Sequence, residues 1–266
     1  MKLPMIKVNG LLSIGGLLAA AVVSAQASTV TFATFSELGS ANLFEFVNGP
    51  TANNAPTQGA LRTLHNLPQS VQFAYLGIGN LISDLQGAQA AHVSLSATTT
   101  QWIATAGSLL VQPLNTLSIS FTRDEAYHGL TNLLTVNVTP SSASLYGTRG
   151  GRTTTLTADN SPAVGDVITY SSDFIAFSSN YEADLALEFT SGTPCVTNYS
   201  SPGINCTAGG SIMHFLHTLT MAGSGSFASA PLPSPLFGTP EPGTLISIGA
   251  GFVIVFAGLR RRSAVR

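Results

Sequence analysis

Between Ser28 and Thr239 the chain contains no lysine. The bases of this region are Arg62, Arg123, Arg149 and Arg152, set against eleven Asp and Glu residues, a formal charge of −7. A nucleic-acid partner requires a basic face, and four scattered arginines do not make one. Charged residues are 8% of the whole sequence, so Ser, Thr, Asn and Gln must keep the surface wet. Cysteine is limited to Cys195 and Cys206, too few for a structural zinc site. With one Trp and six Tyr in 266 residues, aromatics are not enriched for sugar stacking, and Trp102 reads as a core or rim residue.

Catalytic signatures are equally scarce. Gly223-Ser224-Gly225-Ser226 lacks the spacing and the strand-to-helix setting of a nucleophile elbow. Arg149 and Arg152 frame Gly150-Gly151, but the lysine and spacing of a phosphate-binding loop are missing, and a hairpin turn with two exposed charges is expected. Asp124, Glu125 and His128 read as a solvated turn after a strand, since no calcium-loop periodicity surrounds them. His214 and His217 would share a face on a helix, but their surroundings are strand-like, which sets i and i+3 on opposite faces. The acid pair of a glycoside hydrolase is a spatial feature that sequence does not display. The expectation is a protein with no catalytic residue, metal or cofactor.

The two ends are informative. Lys2 and Lys7 precede an apolar run from Leu11 to Val23, and Ala25-Gln26-Ala27 supplies a small-residue cleavage site. Residues 1–27 thus read as a secretory signal peptide, with signal peptidase expected to leave Ser28 as the first mature residue. At the other end, Pro240-Glu241-Pro242-Gly243 is followed by an uncharged run from Thr244 to Leu259 and then by Arg260, Arg261 and Arg262. Sixteen helical residues rise ~24 Å, against a hydrocarbon core of ~30 Å, so this span crosses only with local thinning or snorkelling. Arginines at mid-bilayer cost roughly 2.5–3.5 kcal/mol each, which keeps the cluster cytoplasmic and everything before it outside.

The order Pro240-Glu241-Pro242, short apolar span, Arg260 to Arg262, chain end closely resembles the PEP-CTERM sorting signal of exported proteins from exopolysaccharide-producing Gram-negative bacteria. The resemblance covers about a tenth of the chain. It implies recognition at the inner membrane by exosortase, a membrane-embedded cysteine transpeptidase, with cleavage near Pro240 to Pro242 and delivery to the cell surface or extracellular matrix. A plain single-pass anchor is the competing reading of the same tail. Export to an oxidising compartment makes a Cys195–Cys206 disulfide the leading reading of the two cysteines.

Period-2 alternation recurs through residues 28–222. It is visible at Val30 to Phe32, Leu43 to Val47, Val71 to Tyr75, Val93 to Leu95, Leu117 to Phe121, Leu134 to Val138, Val167 to Tyr170 and Ala183 to Phe189. Arg152 to Ala158, Phe174 to Phe177, Ile212 to Met221 and Gly225 to Ser229 add candidates, and Asn80 to Gln86 alone suggests a short helix. An all-β antiparallel sandwich of jelly-roll type is expected, with a more closed barrel as the alternative. Residues 223–239, rich in Gly, Ser and Pro, read as a linker to the 240–266 sorting signal. The passages VQFAYLGIGNLISDLQGAQAAHVSLSATTT, ITYSSDFIAFSSNYEADLALEFTSGTP and LTMAGSGSFASAP are similar to ectodomains found ahead of PEP-CTERM tails, a resemblance that implies fold and little function. The expected role is structural, a non-enzymatic surface protein associated with exopolysaccharide. A carbohydrate-binding module is the alternative, and a secreted hydrolase the least supported.

Overall fold

The computed structural model describes residues 28–39, 41–48, 51–52, 55–56, 59–78, 81, 83–139, 143–159, 167–198, 204–205 and 214–236. Ser28 is the first of these. Ala25, Ala27, Cys206, Pro240, Glu241, Pro242, Gly243, Arg260, Arg261 and Arg262 lie outside them, as do both apolar runs of the chain ends.

The described chain is all-β, as its alternating pattern predicts. In order, the strands are β1 (Val30–Glu37), β2 (Phe44–Val47), the short pair β3 (Thr51–Ala52) and β4 (Ala55–Pro56), β5 (Gly59–Thr63) and β6 (Gln69–Tyr75). There follow β7 (Ala88–Thr99), β8 (Ala104–Ala106), β9 (Leu109–Pro113), β10 (Thr116–Tyr127), β11 (Leu130–Thr139), β12 (Ser144–Thr148) and β13 (Thr154–Asp159). The last are β14 (Val167–Ser171), β15 (Ile175–Ala176), β16 (Glu182–Thr190), β17 (Val196–Asn198), β18 (Ile204–Asn205), β19 (His214–Leu216), β20 (Leu219–Ala230) and β21 (Ser234–Pro235). Among the described residues helical structure is confined to the 3-10 turns Leu64–Asn66 and Ser83–Leu85, the second falling where a short helix was expected.

One antiparallel sheet of 14 strands holds most of the chain, in the order β14-β11-β10-β7-β5-β2-β20-β16-β13-β12-β9-β8. Three strands of 12 residues, β7, β10 and β20, are its longest members, and β7 and β20 stand on either side of a bend. On one edge of β7, β6 pairs with Ala88 to Val93 and β5 with Ser96 to Thr99. On the facing edge of β20, β1 takes Gly225 to Ser229 and β2 takes Leu219 to Met221. Pairing of β1 with β6 and of β2 with β5 completes two tracks between the long strands. The hydrogen bonding is therefore continuous where two separate sheets were expected. The layering is nonetheless sandwich-like. On a flat sheet the four steps from β10 to β20 would separate them by about 19 Å. Yet the rings of Phe121 on β10 and Phe227 on β20 lie 5.5 Å apart, and Phe121 is 5.0 Å from Phe35 of β1. The sheet is folded over, and its apolar positions face each other across the fold.

That core is a chain of aromatic contacts. Phe73 meets Phe121 at 5.1 Å, Phe35 meets Phe44 at 6.3 Å, and Phe44 meets Phe189 at 5.3 Å, all with side chains fully or almost fully buried. Room for these rings comes from β20. A Cβ on Gly225 would stand 2.3 Å from Leu187 Cδ2 and 2.6 Å from Phe35 Cε1, and one on Gly223 would stand 3.0 Å from atoms of Phe189 and Phe44. The glycine- and serine-rich stretch from Gly223 is thus the centre of a strand paired with β1 and β16, not the start of a linker.

Tyrosine hydroxyls fasten the far edge. Tyr170 of β14 donates to the carbonyl of Asp184 on β16 at 2.6 Å. The hydroxyl of Tyr181 receives the Tyr170 N–H at 2.6 Å and donates to the Ile168 carbonyl at 3.4 Å, standing where the next strand would stand. Tyr75 donates to the Leu133 carbonyl and lies 3.1 Å from Ser172 Oγ. Burial pushes the hydroxyl pKa of Tyr75, Tyr170 and Tyr181 above the ordinary value.

Two outcomes follow from this packing. Gly225→Val should lower unfolding free energy by about 1–3 kcal/mol through overpacking, read as a lower denaturant midpoint at unchanged slope. The tyrosines should impose an alkaline limit. Above pH ~10 the unfolded chain sheds tyrosine protons that the native state retains, so stability falls as pH rises from there through the raised native values. Denaturant midpoints measured from pH 8 to 11 should decline only in the upper part of that range, and less steeply in Tyr75→Phe.

Candidate functional site

Alternation that buries one face of each strand fixes what the other face carries. On the outer surface of the bend, one side chain from each of six neighbouring strands falls into line. Thr157 of β13 stands opposite Ala186 of β16, which stands opposite Ser226 of β20. Ser226 stands opposite Thr34 of β1, then Ala74 of β6 and Ala88 of β7. Five interstrand spacings make this row about 24 Å long, running across the strands. All six side chains are small. They floor a cleft of about 510 Å³.

A second row borders the first. Thr155, Glu188 and Ser224 stand in register on β13, β16 and β20, and Ser36 and Gln72 do so on β1 and β6. These also line the cleft. Glu188 is exposed and is the only titratable side chain in the lining. The ladders on both sides of each strand consume the backbone N–H and C=O groups beneath the cleft. Phe35, Phe73 and Leu187, whose side chains belong to the inner face, and Gly225 complete the lining. Among the alanines, the outward side chains offer a ligand hydroxyls, one carboxamide and one carboxylate. Such groups donate and accept hydrogen bonds to neutral polar molecules. They offer no second carboxylate for glycoside hydrolysis, no base beside a nucleophile and no cation for an anionic ligand.

The other half of the sheet has an outer face of the same chemistry. Ser96, Ser118, Asn137 and Thr169 form one row over β7, β10, β11 and β14, and Ser94, Ser120, Thr135 and Ser171 form the next. Ser118 Oγ donates to Asn137 Oδ1 at 2.8 Å, and the Thr98 and Thr116 hydroxyls are 2.8 Å apart. These eight positions are exposed or half-buried and uncharged.

The sequence-flagged residues are not gathered at the cleft. Asp124 and Glu125 belong to β10 itself, and only His128 is in the turn, where His128 and Gly129 take φ values of +50° and +83°. Asp124 Oδ1 meets His92 Nδ1 of β7 at 2.7 Å, an exposed and therefore screened contact. Arg149 corrects an expectation. It lies in the β12–β13 hairpin as predicted, but is 6% exposed, and only Arg152 faces solvent. Its N–H donates to the Ser108 carbonyl and that of Gly150 to the Pro194 carbonyl, so neighbouring loops cover this turn. His214 ends up in β19, while the His217 N–H beyond it donates to the Cys195 carbonyl at 2.8 Å. No cluster of three metal-ligating side chains occurs among the described residues. Half-buried Trp102, between β7 and β8, does not line the cleft. Cys195 is buried and is not a free thiol.

The cleft escaped sequence reading because Thr34, Ala74, Ala88, Thr157, Ala186 and Ser226 are separated along the chain and ordinary in type. The only local signal was Gly225 beside Ser224 and Ser226, read both as the start of a strand candidate, Gly225 to Ser229, and as part of the 223–239 linker. No protein-family model matches the chain, and neither a curated protein nor a solved structure matches it.

Proposed function

We propose that this is an exported, non-enzymatic surface or extracellular-matrix protein whose jelly-roll-like ectodomain works among exopolysaccharide. In this reading signal peptidase cuts between Ala27 and Ser28, and the 244–259 span holds the chain transiently in the inner membrane. Exosortase then recognises Pro240, Glu241 and Pro242, with Arg260, Arg261 and Arg262 on the cytoplasmic side. The linker shortens to the residues that follow β21, since β20 and β21 belong to the folded domain.

The observation that carries the proposal is the chemistry of the outer faces. A domain without lysine covers its sheets with hydroxyls and carboxamides in register, over both the cleft and the flat face. Uncharged hydrogen-bonding surface is compatible with dense neutral polymer and gives little to attract nucleic acid. A Cys195–Cys206 disulfide completes the proposal. It would close the short segment bearing β17 and β18 and contribute roughly 3 kcal/mol by the chain-entropy argument.

Two measurements test this. The intact mass of protein from membrane and medium of its native host, with and without exosortase, should show exosortase-dependent loss of the chain beyond about Pro240. A tail still ending at Arg266 in the membrane would leave a plain anchored β-domain. Thiol alkylation under denaturing, non-reducing conditions should add no label to the exported protein and two labels after reduction. Labelling of both cysteines before reduction would remove the disulfide from the proposal.

A further inference from the structure

The cleft over β13, β16, β20, β1, β6 and β7 is the feature whose shape and chemistry together restrict an occupant. We infer that it binds a segment of a single uncharged polysaccharide chain lying across the strands. This rests on the proposal that the domain works among exopolysaccharide, and assigns the contact to one site.

Exclusion narrows the class first. An extended peptide that adds to a sheet pairs its backbone along a strand edge. This cleft runs across the strands, over backbone groups already consumed in ladders. A lipid surface would need exposed apolar side chains. The large ones on this domain, among them Leu38, Leu67, Leu76, Leu109 and Val167, do not line the cleft, and Phe35, Phe73 and Leu187, which do, are buried. A polyanion would meet Glu188 and no cation.

What remains fits a neutral glycan. The floor of Thr157, Ala186, Ser226, Thr34, Ala74 and Ala88 carries only small side chains, so a ribbon-like chain can lie close to the sheet. Glu188 offers two acceptor oxygens to a pair of sugar hydroxyls, and Gln72 offers both a donor and an acceptor. They stand three strand spacings apart, about 14 Å, which a chain of several units bridges more fully than a disaccharide. On binding, sugar hydroxyls exchange hydrogen bonds to water for hydrogen bonds to protein at modest net gain, so affinity must come from many such contacts along the row.

The test is calorimetric titration of the protein purified from its host with four neutral hexasaccharides, cellohexaose, laminarihexaose, maltohexaose and chitohexaose. Their disaccharides and a hexauronate from alginate complete the panel. At least one neutral hexasaccharide should bind, its disaccharide more weakly and the hexauronate not at all. Ala186→Ile fills the floor from an exposed strand position that tolerates β-branching, and should weaken binding at least tenfold with the melting temperature unchanged. Glu188→Ala, which removes the carboxylate without adding bulk, should weaken it severalfold. Absence of binding by every neutral hexasaccharide overturns the inference, as does equal binding of the hexauronate or wild-type affinity in both variants. Retention on exopolysaccharide from the same host separates the two levels. If that polymer retains wild type and Ala186→Ile equally, the cleft assignment fails and the matrix reading stands. If oligosaccharides bind in the cleft but the polymer retains nothing, the matrix reading fails and the cleft stands.

Discussion

The packing of Leu187 and Phe35 against the bare backbone of Gly225, with Phe121 and Phe227 packed on Phe35 in turn, is the contact on which the architecture turns. A sheet of 14 strands has no reason to stay flat when one face is apolar, and folding it over buries that face against itself. The fold needs a place where the layers come together, and β20 supplies it. Side chains at positions 223 and 225 would occupy the volume that the rings of Phe35, Phe44 and Phe189 now fill. The same absence acts on the other side of the strand. Where the inward positions are glycine, β20 can lie close to its core neighbours, and the outer row through Ser226 and Ala186 forms the floor of a hollow. Core packing and cleft are two faces of one choice of residue.

Polar groups inside and at the rim are handled with the same economy. Few charges are buried, and Glu45, 8% exposed, is satisfied by Arg62 Nε at 2.8 Å and by the His65 N–H at 3.1 Å. Neutral hydroxyls do most of the remaining work. Tyr181 stands in for a missing strand beside β14, satisfying an edge N–H and C=O that would otherwise invite pairing with another chain. A lysine-poor protein cannot blunt its edges with lysine, and a tyrosine hydroxyl does so here without a charge.

Residue patterns disclosed most plainly the strands whose inward positions are all apolar. Ala183, Leu185, Leu187 and Phe189 mark β16 unmistakably, and Leu117, Ile119 and Phe121 mark β10. β9 was missed because its inward Gln112 looks like a surface residue. The structure buries that side chain, with Nε2 donating to Thr99 Oγ1 at 2.9 Å and to the Gln101 carbonyl at 3.0 Å. β12 was missed because its inward positions are Leu145 and Gly147, so one apolar side chain alone marks it, and a Cβ on Gly147 would stand 2.9 Å from Thr154 Cγ2. Gly223 to Ser226 misled in the opposite direction, since flexible-linker composition and close core approach call for the same residues. The burial of Arg149 was illegible for a different reason, as the backbone of its turn is tied to Ser108 and Pro194, both remote in sequence.

The cleft and the flat hydroxyl face share residue types, so shape is what separates a site from a surface here. On the flat face, rows such as Ser96–Ser118–Asn137–Thr169 partly satisfy one another, as the Ser118–Asn137 contact shows, and water reaches every member. A ligand there would exchange hydrated hydroxyls for similar bonds and gain little. In the cleft the same chemistry surrounds a molecule from the floor and the bordering row together, so more contacts form for each unit of ligand ordered. The uncharged surface keeps most of the domain wet, and the proposed recognition is confined to the cleft, where Gly225 lies in the lining.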